Sequence, residues 1–279
     1  MRTTSAILLV GLRQLSRSRL VTIPVVLALL YPGLVVLILS GTHTAGKGMA
    51  DAADAAMGVM FMTIPMAATL ATGFIMILGS SLLPEEISAG RAGFWVAQPV
   101  SRDSYLAGMT LASFAVCCIV SAILFFGTSA AILAFIPYRP TAVVWAFLCP
   151  LLWTAANLAL VTAVSLYLPR IASIIICLAL AGFSNFMGSV SQVVGALPGG
   201  SVASTMQTVY WVSFFVFPAD PLLRLAMSGL GPADSSIQMM MSSIGFMTSP
   251  PAWQIVYALI WSAAVFLLAG ARFRRMDLA

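Results

Sequence analysis

The sequence predicts an all-α, polytopic membrane protein with six transmembrane helices. Of its 279 residues, 61% are hydrophobic and only 8% are charged, whereas a soluble domain carries roughly 25% charged residues. Six apolar segments are long enough to cross a hydrocarbon core, which takes about 20 helical residues. They are Leu20–Leu39, Met57–Leu83, Tyr105–Ile136, Ala142–Leu168, Ile171–Val190 and Pro251–Gly270. The 13 basic and 8 acidic residues all lie outside these segments, as expected because a charge at the bilayer centre costs about 2.5–3.5 kcal/mol.

Residues 1–19 predict a helix lying on the cytoplasmic membrane surface. On a helical wheel three leucines share one face and three arginines lie roughly opposite. The leucines are Leu8, Leu12 and Leu15, and the arginines are Arg2, Arg13 and Arg17. The alternative is a basic segment that only sets the topology.

The distribution of basic residues predicts that both termini lie in the cytoplasm. With six spans, ten arginines fall on the side of the termini and three basic residues on the other side, as the positive-inside rule requires. The ten are Arg2, Arg13, Arg17, Arg19, Arg91, Arg102, Arg170, Arg272, Arg274 and Arg275, and the three are Lys47, Arg139 and Arg224.

The outer segment between spans five and six, residues 191–250, contains a further apolar run. Val202–Phe217 has only 16 residues and ends at Pro218. Counting it as a seventh span would worsen the basic asymmetry to eight against five. We therefore expect a re-entrant or interfacial helix on the outer side.

The stretch Gly41–Gly48, GTHTAGKG, fits all but the last position of the phosphate-binding pattern G-x-x-x-x-G-K-[ST]. Gly48 lacks the hydroxyl that would ligate Mg²⁺, and the stretch follows the outer end of the first span, away from cytoplasmic ATP. The sequence predicts a glycine-rich turn here and no nucleotide site in this chain.

Enzyme chemistry is not indicated by the ionisable residues. His43 is the only histidine, on the side opposite Glu85 and Glu86, so no base lies within reach of a nucleophile or metal ligand on that side. All four cysteines fall inside spans, where they suit apolar packing. An ion-coupled transporter usually keeps ionisable groups within its spans; here only amides such as Asn157 and Asn185 could line a path, and such amides also serve helix packing.

The long cytoplasmic loop, residues 84–104, predicts a docking element. Phe94 and Trp95 form an apolar knob, and Glu85, Glu86, Arg91 and Arg102 surround it. The segment reads as a short helix that stops before Pro99, followed by Ser101 and Asp103 at the start of the third span. A helix resting at the lipid interface, where tryptophan is also common, is the alternative.

This loop resembles the coupling-helix region of type-2 ABC exporter permeases. That family's pattern is a Glu, a Gly four residues on, an apolar stretch, Pro-x-Ser-Arg and then Tyr-Leu-x-Gly. The matching positions are Glu86, Gly90, Phe94–Ala97, Pro99, Ser101, Arg102, Tyr105, Leu106 and Gly108. Met109 departs from the pattern, since many members have Lys there. Pro218 and Asp220 followed by Arg224 are similar to a weaker family pattern.

The resemblance implies a permease subunit in one six-span domain, residues 1–279, without catalytic residues, metal or cofactor of its own. Two separate ATP-binding cassette subunits would bind ATP and Mg²⁺ and dock on the loop. The implied docking residues are Glu86, Gly90, Arg91, Phe94, Trp95, Pro99, Ser101 and Arg102. A second permease copy or a homologous permease and the lipid of a prokaryotic cytoplasmic membrane are the other implied partners, and nucleic acid is not. An ion-coupled secondary transporter and a non-transporting structural membrane subunit remain the alternatives.

Overall fold

The computed structural model describes residues 2–16, 19–44, 49–88, 101–135, 143–195, 201–228 and 249–276. Within these ranges the chain is helical, with short turns and no β-strand. The helices are α1 (Arg2–Ser16), α2 (Arg19–Thr44), α3 (Met49–Ser88), α4 (Arg102–Phe135), α5 (Val143–Ser165), α6 (Arg170–Gly195), α7 (Ser201–Val216), α8 (Asp220–Ser228) and α9 (Ala252–Arg274). In these ranges six helices, α2 to α6 and α9, are each long and apolar enough to cross a membrane. The prediction of an all-helical, multi-pass membrane protein is thereby confirmed.

Several helices extend beyond the predicted spans. The 40 residues of α3 correspond to about 60 Å of helix, twice the thickness of the hydrocarbon core. Its first residues read MADAADAAM, and alanine is the strongest helix former, so the helix begins eight residues before Met57. At its other end α3 continues to Ser88, which corrects the prediction of a loop from residue 84. The other end of that loop is also shorter, because α4 begins at Arg102.

The glycine-rich stretch Gly41–Gly48 is also only partly as predicted. Helix α2 runs on to Thr44, so the first four residues continue the helix instead of forming a turn. Once a helix has formed, each added residue gains one hydrogen bond without a new nucleation cost, so the helix can extend through a short glycine-containing stretch. Residues 45–48 lie outside the described residues.

The centre of the bundle is formed by α3, α4 and α5. The share of the most apolar stretch that is buried by the rest of the protein is 50% for α3, 56% for α4 and 61% for α5. The corresponding shares are 22% for α2, 33% for α6 and 17% for α9. Ile75 of α3, Cys117 of α4 and Trp153 of α5 belong to one buried cluster. The exposed apolar faces of the three outer helices suit contact with lipid.

Helix α1 and the last turns of α9 lie at the same end of the bundle, which we call the terminal end. Tyr105, near the start of α4, stacks on Phe273, near the end of α9, with ring centroids 6.2 Å apart. Ile7 of α1 and Leu166, just before α6, belong to the same buried cluster. The start of α4 therefore also lies at the terminal end, while α6 ends and α9 begins at the opposite end.

Helix α1 rests on the first turns of α4. A Cβ atom at Gly108 would come within 2.7 Å of Ile7 Cγ2, and one at Gly11 within 2.8 Å of Ala112 Cβ. These two glycines thus allow the helices to approach closely. Leu15 is buried in a cluster with Ala112. The sequence predicted Leu8, Leu12 and Leu15 as one apolar face for the membrane surface, whereas Leu15 is buried within the protein together with Ile7 and Gly11, and Leu8 and Leu12 are half-buried.

The segment between α6 and α9 contains a sharply bent helix pair. Helix α7 ends at Val216, and α8 leaves at an angle of 101° to it. Pro218 explains the break, because proline disfavours helical backbone at the preceding residue and cannot donate a backbone hydrogen bond. A helix pair bent this sharply is either a broken span or a re-entrant segment, and α7 packs against the first turn of α9 through Trp211 and Trp253.

Candidate functional site

A buried ion pair lies in the bent segment. Arg224 Nε is 2.9 Å from Asp220 Oδ2, and the two side chains are only 11% and 8% exposed. The pair sits four residues apart on α8, so both side chains project from one face of that helix. Arg224 Nε makes no hydrogen bond to the carboxylate despite the short distance. The contact between the two side chains is therefore an ion pair without a hydrogen bond through Nε.

Two further side chains complete a polar network around this pair. Arg224 Nη2 donates to the Tyr210 hydroxyl at 2.8 Å and to Gln254 Oε1 at 3.2 Å. The Tyr210 hydroxyl in turn donates to Asp220 Oδ2 at 3.4 Å. Tyr210 belongs to α7 and Gln254 to α9, so one guanidinium connects three helices. Burial of charge is tolerated only where partners of this kind replace water.

A glycine on α6 makes room for the carboxylate. A Cβ atom at Gly188 would overlap Asp220 Oδ1 and Cγ. Nearby, Ser184 Oγ donates to the carbonyl of Phe217 at 2.7 Å, which satisfies a backbone acceptor freed by the bend. Helix α6 therefore holds both the ion pair and the break between α7 and α8 in place.

Aromatic side chains fix α7 against α9. Trp211 stacks on Trp253 with centroids 5.8 Å apart, and Phe214 packs edge-on against the same Trp253 at 5.7 Å. The Tyr257 hydroxyl donates to the carbonyl of Phe215 at 2.9 Å. These contacts position Tyr210 and Gln254 on either side of Arg224.

A cavity of about 190 Å³ adjoins the ion pair. Its walls come from three helices, and the lining residues recur on each helix at a spacing of three or four, so each helix presents one face. They are Phe61 and Pro65 of α3, Asn185, Ser189 and Gln192 of α6, and Asp220, Leu223, Arg224 and Met227 of α8. Asn185 Oδ1 and Gln192 Oε1 are buried and have no hydrogen-bond partner among the described residues.

Replacing Gly188 with alanine should displace Asp220, because the added methyl group has no space. We expect the free energy of unfolding to fall by about 1–3 kcal/mol, the usual cost of overpacking. Gly182→Ala, on the same helix, is the matched control, since a Cβ atom there meets nothing within 4 Å. Unfolding of both variants in mixed detergent and dodecyl sulfate micelles measures the difference. Equal stability of the two variants would show that α8 does not approach α6 as closely as described.

Most of the predicted docking residues cannot be placed. Gly90, Arg91, Phe94, Trp95 and Pro99 lie outside the described residues. Glu86 belongs to the last turn of α3, and its side chain is also outside the description. The proposed docking surface therefore remains a prediction from sequence, flanked by the ends of α3 and α4.

Ser101 and Arg102 are described, and both have roles within the chain. Ser101 Oγ accepts a hydrogen bond from the Ser104 backbone N–H at 3.2 Å, which confirms that Ser101 starts the helix. Arg102 Nη1 donates to the carbonyls of Arg274 and Met276 at 2.8 and 2.7 Å. These are the otherwise unsatisfied carbonyls at the end of α9, where a cation is also favoured by the helix dipole.

Sequence reasoning missed the polar network. The six-span count places Arg224 on the outer side, and Asp220 and Arg224 enter the sequence analysis only as a weaker family pattern, without a buried ion pair. Two sequence signals are consistent with the site: the Asp-x-x-x-Arg spacing two residues after Pro218, and the polar residues Asn185, Ser189 and Gln192, which recur at helical spacing at the end of the fifth span and just beyond it. Asn185 does line a cavity, whereas Asn157 donates to the Trp153 carbonyl at 2.8 Å within its own helix.

Comparison with known proteins adds no identification. No protein-family model matches the chain. No curated protein sequence matches it closely enough to indicate a relationship.

Proposed function

We propose that this chain is the membrane-spanning permease subunit of an ATP-driven ABC transporter of the exporter class. The observation that carries the proposal is the match of the loop between α3 and α4 to a coupling-helix region, from Glu86 to Gly108. The position of that loop gives it a mechanical role. It joins two of the three most buried helices, so a partner bound to the loop would move the centre of the bundle.

Transmission needs a stiff connection, and the contacts at the terminal end supply one. The guanidinium of Arg102 and the Tyr105 ring tie the start of α4 to the end of α9, and α1 packs against α4 through Gly108. Movement of the loop would then carry α1, α4 and α9 together as a rigid body, as in other domain-level transitions.

The sidedness of the proposal follows from charge. Helix α1, the start of α4 and the end of α9 share the terminal end, and the six-span assignment puts ten of the 13 basic residues on that side. In a prokaryotic cytoplasmic membrane the positive-inside rule assigns this end to the cytoplasm, where ATP is available. The bent pair α7–α8 is then a re-entrant segment open to the outer side.

Helix α1 is proposed to lie at the cytoplasmic membrane surface. Helix α4 has 34 residues, or about 51 Å, against a hydrocarbon core of about 30 Å. Its first turns can therefore project beyond the core, and these are the turns that α1 contacts. The exposed Leu9 and Val10 are then available to the interface.

An ion-coupled secondary transporter is the second candidate, and one observation favours it. Asp220 is an ionisable side chain buried in the bundle, as proton and sodium relays require. However, Arg224 holds its carboxylate in an ion pair, so a coupling ion would have to compete with a fixed cation. Dependence of transport on ATP or on an ion gradient separates the two candidates.

Cysteine labelling tests the proposed orientation. In a background with the four native cysteines replaced by alanine, single cysteines at Gly48 and at Ser235 should react with an impermeant maleimide added to intact cells. A cysteine at Ser88, the last residue of α3, should react only after the membrane is opened. Labelling of the Ser88 variant in intact cells would place the loop on the wrong side for ATP coupling.

Co-expression tests the function itself. The partner is the soluble ATP-binding protein with a Walker A motif that we expect from a neighbouring reading frame. The two proteins should purify together in mild detergent and hydrolyse ATP, whereas the permease chain alone should neither bind nor hydrolyse it. Purification of the chain free of that protein, with no change in its ATPase activity on mixing, would contradict the proposal.

A further inference from the structure

We infer that the cavity between α3, α6 and α8 is a binding site for a small, neutral, hydroxyl-bearing molecule with an apolar body. The inference concerns the chain by itself. It holds whether or not an ATP-binding subunit drives the protein, because it depends only on the walls of the cavity.

The polar wall calls for hydrogen-bonding groups on the ligand. Asn185 and Gln192 lie on one face of α6, and each has a buried amide oxygen without a partner among the described residues. A buried polar group that lacks a partner is unfavourable, so an occupant that donates to these oxygens is stabilised. Since an amide side chain presents both a donor and an acceptor, a hydroxyl group, which can do both, fits either orientation.

The charges of the wall exclude an ionic ligand. Asp220 and Arg224 both line the cavity, but they neutralise each other at 2.9 Å. Arg224 is further committed to Tyr210 and Gln254. An anion or a cation would have to break this network to gain a counter-charge, whereas a neutral molecule leaves it intact.

The remaining wall and the size of the cavity limit the body of the ligand. Phe61, Pro65, Leu223 and Met227 supply an apolar surface opposite the amides. A volume of about 190 Å³ corresponds to about six water molecules at their share of the liquid. A molecule with one small ring or a short chain fills this space, with its hydroxyl group on the α6 side.

Cyclohexanol is a suitable probe, and methylcyclohexane is its isosteric control without the hydroxyl group. Equilibrium dialysis of the full chain in phosphatidylcholine nanodiscs, with empty nanodiscs subtracted, measures both dissociation constants. We expect saturable binding of cyclohexanol at one site per chain, at least tenfold tighter than binding of methylcyclohexane. The Asn185→Leu, Gln192→Leu double variant should bind cyclohexanol at least tenfold more weakly and lose the preference for the alcohol.

Gln207→Leu is the matched control, because it makes the same substitution on α7, outside the cavity, and should leave binding unchanged. Monodisperse elution checks folding, and the single Gln192→Leu variant, with an intermediate loss, replaces the double variant if the latter does not fold. If diacylglycerol added to the nanodiscs competes with cyclohexanol, the natural ligand is a lipid with a hydroxyl headgroup. If diacylglycerol does not compete, the natural ligand is a free solute. No saturable binding above empty nanodiscs, or equal binding by wild type and the variants, would overturn the site and leave a water-filled cavity only.

Discussion

Replacing Arg224 with methionine is expected to lower the free energy of unfolding by about 3–5 kcal/mol. The side chain is 11% exposed, and its guanidinium contacts Asp220, Tyr210 and Gln254. Methionine fills a similar volume but leaves the Asp220 carboxylate, itself 8% exposed, without a counter-charge. The loss should therefore come from the uncompensated buried charge and from the unpaired Tyr210 and Gln254 side chains.

The double variant Asp220→Asn, Arg224→Met separates charge from packing. Because it removes both charges, most of the stability lost in Arg224→Met should return, as expected when a buried ion pair is replaced as a whole. Unfolding in mixed micelles, followed by near-ultraviolet circular dichroism, measures all three proteins. A double variant as unstable as the single one, or a single variant within about 1 kcal/mol of wild type, would mean that the pair is accessible to water.

The spans were predictable because lipid imposes a simple rule on sequence. A helix that crosses a bilayer needs about 20 apolar residues without charge, and all six such segments became helices. The break at Pro218 and the start of α4 at Ser101 were predictable for a similar reason, since proline and serine act through their own local backbone. The early start of α3 shows the limit of this approach, because its alanine-rich first turns are helical without being apolar enough to count as a span.

The candidate site was not predictable in the same way. Asp220 is buried because Gly188, more than 30 positions earlier, lets α8 approach α6, and such a pairing is set by tertiary packing. Arg102 gives a second example. The sequence predicted that Arg102 is a charged residue at the edge of a docking surface for a partner protein. In the structure its guanidinium donates hydrogen bonds to carbonyls at the end of α9, and this contact depends on the tertiary packing of α4 against α9.

The Arg102 contacts also determine which loop variant is informative. A charge reversal at Arg102 would disturb α9 as well as any docking surface. Trp95→Ala is the better test, since Phe94 and Trp95 supply the apolar part of the predicted coupling loop. Loss of a central aromatic anchor typically costs about 2 kcal/mol or more, or roughly thirtyfold in affinity. Trp145→Ala is the matched control, because Trp145 is an exposed tryptophan at the start of α5, at the opposite end of the bundle.

The central claim is that a separate ATP-binding subunit drives this chain through the loop between α3 and α4. The most direct measurement is the dissociation constant of the complex with that subunit, with its ATPase activity, for wild type, Trp95→Ala and Trp145→Ala at equal expression. Our account predicts a complex for wild type and Trp145→Ala, and for Trp95→Ala an affinity about thirtyfold lower with a matching loss of stimulated ATPase activity. Full association and full ATPase activity of Trp95→Ala would contradict the coupling role of the loop, and no complex with wild type would contradict the claim as a whole.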